Sequence, residues 1–141
     1  MNDPALGRCL CGAVSFRVSG AFEHFFLCHC GRCRKDSGSV HSANLFSSTA
    51  TLEWQSGEDH VTTFGLPGSR HVKCFCARCG SALPYVQPDP AALVVPAGSL
   101  DGPIHLRPEA HICFASRAEW EDDLAALPRL DGLPGQNLPP D

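Results

Sequence analysis

Nine cysteines in 141 residues constrain this chain more than any other feature, because all but one fall in tight clusters. Cys9 and Cys11 form C-x-C, Cys28, Cys30 and Cys33 form C-x-C-x-x-C, and Cys74, Cys76 and Cys79 repeat that second pattern, leaving Cys113 alone. Cysteines this close are poorly placed to bridge each other, but two of them can set their sulfurs about 2.3 Å from one tetrahedral ion. Zinc is the natural reading, with an iron–sulfur cluster as the minor rival that thiolate sets share. The opening Met1-Asn2-Asp3-Pro4 has neither the positive start nor the apolar run of a signal peptide, so a reducing, cytoplasmic setting is expected.

Other classes fall away on composition. No apolar stretch approaches the roughly 20 residues of a membrane span. A net charge of −4 supplies no global field for phosphate backbones, so neither membrane nor nucleic acid is an expected partner. At 141 residues the chain has room for one domain, expected over residues 1–128, followed by a Pro/Gly-rich tail over 129–141 with little to bury.

The clusters divide in two ways: two four-cysteine sites, or one four-cysteine and one three-cysteine site with two thiols left over. Local chemistry favours the second. Cys11 precedes Gly12 and Cys79 precedes Gly80, and glycine after a metal cysteine lets the backbone turn tightly and aim N–H groups at sulfur. Cys33 precedes Arg34 and Lys35 instead, whose charges would stabilise thiolates. Three ligands leave a position open to water or substrate, the mark of a catalytic zinc site, so the 28–33 cluster is the reactive candidate. The competing reading closes it with Cys74 or Cys113. Both of those also read as buried strand thiols.

The remainder reads as a mostly β scaffold. Val14, Phe16 and Val18 alternate with polar neighbours at the period of a half-buried strand, and similar short runs recur at residues 25–28, 40–46, 51–54, 61–64, 71–75, 83–86, 92–95 and 109–114. Thirteen glycines and twelve prolines punctuate them. One short C-terminal helix is expected: Ser116-Arg117-Ala118-Glu119 has the capping-box pattern, and Trp120, Leu124 and Leu127 share a face before Pro128. It should cap the sheet, with Trp54 and Trp120 in the core. Metal binding should supply part of the folding energy, so chelation is expected to unfold the chain.

Taken together, Cys9-x-Cys11-Gly12, Cys28-His29-Cys30-x-x-Cys33-Arg34-Lys35-x-Ser37-Gly38, Phe75-Cys76-x-x-Cys79-Gly80-Ser81-x-Leu83, His111-Ile112 and Ser116-Arg117-x-x-Trp120 form a pattern that resembles the glutathione-dependent formaldehyde-activating (GFA) family. The likeness spans about residues 7–128. It implies a small zinc-containing β fold of the β-tent type with two zincs. Cys9, Cys11, Cys76 and Cys79 would hold a structural zinc, and Cys28, Cys30 and Cys33 a catalytic one, with water or substrate as fourth ligand. It further implies a carbon–sulfur lyase that joins glutathione, as co-substrate, to formaldehyde or a related small carbonyl.

A zinc carrying three thiolates can take the glutathione sulfur and hold it for attack on the carbonyl. His29 or a water would protonate the new oxygen, although His29, beside two ligands, has an equally good reading as a residue that simply points outward. Glutathione carries two carboxylates, so Arg32, Arg34 and Lys35, together with Arg70, His71 and Lys73, are candidates for a cationic rim, and Ser37 for a hydroxyl donor. The alternative from another class is a non-catalytic zinc module that binds a protein partner. Oligomeric state has no signature in the sequence.

Overall fold

Alternation decides the first sheet. Val14, Phe16 and Val18 are each at most 1% exposed, while Ser15 and Arg17 between them face outward. The computed structural model describes residues 3–135, and a strand forms at each of the expected runs. The strands are β1 (Ala5–Arg8), β2 (Ser15–Ser19), β3 (His24–Cys28), β4 (Ser42–Ser47), β5 (Thr51–Ser56), β6 (Val61–Gly65), β7 (Val72–Cys76), β8 (Tyr85–Pro88), β9 (Ala91–Pro96) and β10 (Ala110–Ile112). Between β3 and β4 lies α1 (Gly31–Ser37). The fold is mostly β.

The strands form a three-stranded sheet, β1-β2-β5, a five-stranded sheet, β10-β3-β4-β9-β8, and the hairpin β6-β7. All neighbours are antiparallel except β10, which runs parallel to β3 with Ile112 opposite Cys28. One apolar cluster joins the sheets: Phe16 and Val18 from the first, Phe25, Leu45, Leu93 and Val95 from the second, and Cys74, Cys76 and Leu83 from the hairpin and its exit. Each large apolar side chain so buried contributes about 1.5–3 kcal/mol before entropy is counted. Trp54 is half-buried and packs edge-on against Phe16, with centroids 6.0 Å apart.

The C-terminal segment departs from expectation. In place of one α-helix there are isolated 3-10 turns at Phe114–Ser116, Glu119–Glu121 and Leu124–Ala126. Arg117 and Ala118 are extended, and Asp123 adopts φ +62, which interrupts any helical run. The physical reason is that the predicted face finds no core: Trp120 is 61% exposed and Leu127 58%. A short helix without a packed face is marginal in water. Trp120 is therefore a surface residue. Residues 129–135 carry no regular element, and the rest of the expected tail, 136–141, lies outside the described residues.

Candidate metal centres

Two thiol clusters form, and all nine cysteines are free. The first collects Cys9 and Cys11 from the turn between β1 and β2 with Cys76 and Cys79 at the end of β7, their sulfurs all within 4.8 Å of one another. Cys9 Sγ lies 3.6 Å from Cys11 Sγ, and Cys11 Sγ 4.0 Å from Cys76 Sγ. Four sulfurs about 2.3 Å from a tetrahedral zinc stand roughly 3.8 Å apart, so the set fits that ion.

Gly12 and Gly80 adopt φ +81 and +78, conformations that favour glycine, and their N–H groups donate to the Cys9 and Cys76 carbonyls. The turns aim the Val14 N–H at Cys9 Sγ (3.3 Å) and the Arg78 N–H at Cys76 Sγ (3.4 Å). Ser81 Oγ accepts from the Leu10 N–H at 2.7 Å and so ties the two turns together. The Ser81 hydroxyl and N–H, then the Cys11 N–H, draw the Cys79 thiol down to about 5. Against the Ala13 N–H, which lowers it, burial and the thiols of Cys9, Cys79 and Cys76 push Cys11 up to about 11. Four thiolates this close repel, and a divalent cation removes that conflict.

The second cluster is built on one short stretch. Cys28 ends β3, Cys30 caps α1 and accepts the Cys33 N–H at 3.3 Å, and Cys33 sits in the first turn. Their sulfurs lie within 4.8 Å of one another, and among the described residues no fourth Cys, His, Asp or Glu joins them. Burial pushes Cys28 and Cys33 up, whereas in Cys30 the Cys33 N–H and the neighbouring thiols outweigh burial and hold the group low. A cation is again what three gathered thiols fit.

The two spare thiols differ from each other. Cys74 is buried at 4% exposure in β7, and burial raises it, as a strand thiol should be. Cys113 was expected to be buried too, but it is exposed at φ +52, because the chain leaves β10 there for a 3-10 turn. Neither enters a cluster.

The cationic rim is thinner than the sequence implies. Asp36 on α1 takes His71 Nε2 and Lys73 Nζ, each at 2.8 Å, which pins α1 to β7. Arg34 has no ion pair among the described residues, and its buried Nε has no acceptor. Lys35 is exposed and equally unpaired. Ser37 Oγ lies 2.8 Å from the Cys33 carbonyl and accepts the Ser39 N–H at 3.2 Å, so it serves the end of the helix, where Gly38 at φ +66 closes the turn.

His29 does not point outward. It is 1% exposed, with Nε2 2.8 Å from His111 Nδ1 and Nδ1 2.8 Å from Glu121 Oε2. The rings of His41 and Phe114 stand 5.0 Å from it. Both ring nitrogens face protein groups, so His29 offers none to a substrate. Sequence reasoning assigned no role to His41, His111 or Glu121. His111 lies in one of the quoted motifs, but the contacts arise only from the parallel pairing of β10 with β3 and the fold-back of the C-terminal segment. A cleft of about 580 Å³ lined by Leu6, Phe22, Ile104 and Leu106 lies apart from both clusters in its lining and contains no thiol.

The arrangement defines a β protein with one closed four-thiol centre and one three-thiol centre. The family model described as glutathione-dependent formaldehyde-activating enzyme matches residues 4–116, and the chain belongs to this GFA family. Among solved structures, the crystal structure of a Rhodobacter sphaeroides protein has a similar fold, with a TM-score of 0.57 at 23% identity, covering 75% of this chain and 98% of that one. No curated protein matches the sequence with significance. Among the described residues no helix is long and apolar enough to cross a membrane.

Proposed function

We propose that the chain is a zinc-dependent carbon–sulfur lyase-type enzyme that adds glutathione to formaldehyde, or to a related small carbonyl, at the 28–33 cluster. The observation that carries this reading is three gathered thiols with no fourth protein ligand among the described residues. Zinc bound there supplies positive charge that favours the thiolate form of an incoming thiol near neutral pH. In the reaction the sulfur–carbon bond forms, the carbonyl π bond breaks, and the thiol proton ends on the new hydroxyl oxygen. No oxidant or reductant is needed.

Arg34 and Lys35, unpaired on the helix that carries Cys33, bind the carboxylates of glutathione. Because the His29 ring is buried with both nitrogens against protein groups, a water delivers the proton to the oxygen. The four-cysteine centre is structural. Nine free thiols suit the reducing cytoplasm.

The test is NMR exchange between free glutathione with formaldehyde and S-(hydroxymethyl)glutathione, with zinc-loaded protein and a Cys30→Ser control. Acceleration by the intact protein alone is expected. No acceleration with both zincs bound would overturn the substrate assignment. A second reading, a zinc module that binds a protein partner, draws on the exposed Trp120, Leu127, Leu130 and Leu133, and gains if exchange is not accelerated.

A further inference from the structure

The segment after β10 is docked in an unexpected sense. Transfer energies would turn Trp120 inward and leave Glu121 in water. Instead Trp120 is 61% exposed, while the Glu121 side chain is 8% exposed and Ala118 7%. Glu121 Oε2 lies 2.8 Å from His29 Nδ1, close enough for an ion pair but outside hydrogen-bond angles, and neither buried atom has a hydrogen-bond partner among the described residues. The nearby cation is committed elsewhere: Arg117 lies 4.6 Å above the Phe114 ring and 3.4 Å from Asp122.

His29 sits between Cys28 and Cys30, its backbone N–H donating to the Ile112 carbonyl at 2.9 Å. Its ring is held at both nitrogens, by His111 on one side and Glu121 on the other. A carboxylate 2.8 Å away repels a nitrogen lone pair and attracts an N–H, so its proximity favours the proton on His29 Nδ1 and leaves Nε2 to accept from His111 Nδ1–H. A ring fixed in this way fixes the peptide that carries two of the three thiols.

We propose that Glu121 is a positioning residue: through the buried imidazole of His29 it holds the turn between β3 and α1 in the arrangement that takes the metal. Glu121 lies beyond residues 4–116, where the family match ends. The proposal rests on the 28–33 cluster being a metal site and is independent of which substrate is used there.

Two readouts test it on the zinc-loaded protein. Long-range proton–nitrogen NMR of the His29 ring should show the proton on Nδ1. Zinc affinities, read by competition with a chromophoric chelator, should show two sites in the wild type. Glu121→Ala should weaken one of them by about tenfold and leave the other unchanged, the usual scale for outer-shell support of a metal site. Glu121→Gln, whose amide oxygen still accepts from Nδ1–H, should recover most of the loss. In a double-mutant cycle, His29→Phe should weaken the same site, and Glu121→Ala should then add nothing.

Unchanged affinities in Glu121→Ala, equal weakening of both sites, a full additional loss on the His29→Phe background, or a proton on Nε2 would each overturn the proposal. The tautomer measurement needs no variant, so it decides even where Glu121→Ala does not fold. A wild type that binds one zinc only would refute the metal reading of the 28–33 cluster, and this proposal with it.

Discussion

The two cysteine clusters use one ligand type on two different backbones. The four-cysteine centre joins residues from β1–β2 and from β7, so closing it fastens segments far apart in the chain, and glycine turns at Gly12 and Gly80 aim N–H groups at its sulfurs. The three-cysteine centre is confined to residues 28–33, is capped by a helix start and is held from outside, by Asp36 through His71 and Lys73. A clasp between distant segments contributes to folding, because it limits the unfolded chain as well as binding metal. A local cluster leaves the topology intact when it is lost, and that freedom suits a site that exchanges ligands.

The comparison breaks most readily at single ligands. Cys76→Ser should lose the fold itself, seen as loss of the β circular-dichroism signal at 25 °C, since structural zinc sites in small peptides are worth on the order of 10 kcal/mol. Cys30→Ser should keep most of the fold while exchange activity falls at least about a hundredfold, roughly 2.7 kcal/mol of barrier. Equal unfolding by both would contradict the division of labour.

A smaller effect sharpens the contrast. Asp36→Asn removes a half-buried carboxylate from His71 and Lys73, and should lower stability by about 1 kcal/mol in urea unfolding. It should also loosen α1, read as faster amide exchange at Arg34 and Gly38, with no change at Gly12 or Gly80. Faster exchange at all four would mean the two centres are not independent.

The smallest effect lies far from both clusters and serves as a control. The Ser48 hydroxyl and then its N–H hold the Glu23 carboxyl below its ordinary value. A depressed carboxylate contributes stability above its unfolded pKa and loses it as pH falls through the folded one. Glu23→Gln should therefore melt slightly lower than wild type near neutral pH, with the gap closing below the carboxylate range. A gap that widens on acidification would reverse the sign.

What was legible in the sequence follows from where the information sits. Cysteine spacing and the glycines after Cys11 and Cys79 are local, and both centres form from the expected residues. Strand alternation carried β2 to β10. Strand β1 was hidden because its inward position is Gly7, against which the Phe16 ring packs, so no apolar alternation marks it. The C-terminal pattern of Trp120, Leu124 and Leu127 was helical in period, but a period fixes a helix only when a core receives it. The contact of His29 with Glu121 joins residues far apart in sequence, and no spacing rule encodes it.

The central claim is that one centre is closed and the other open to a thiol. Cadmium NMR on protein loaded with cadmium at both centres resolves them separately. The account predicts two resonances, one in a four-thiolate environment that glutathione leaves in place, and one that moves toward it as glutathione adds a fourth sulfur. Two resonances both unmoved by glutathione, or two four-thiolate resonances before it is added, would contradict it.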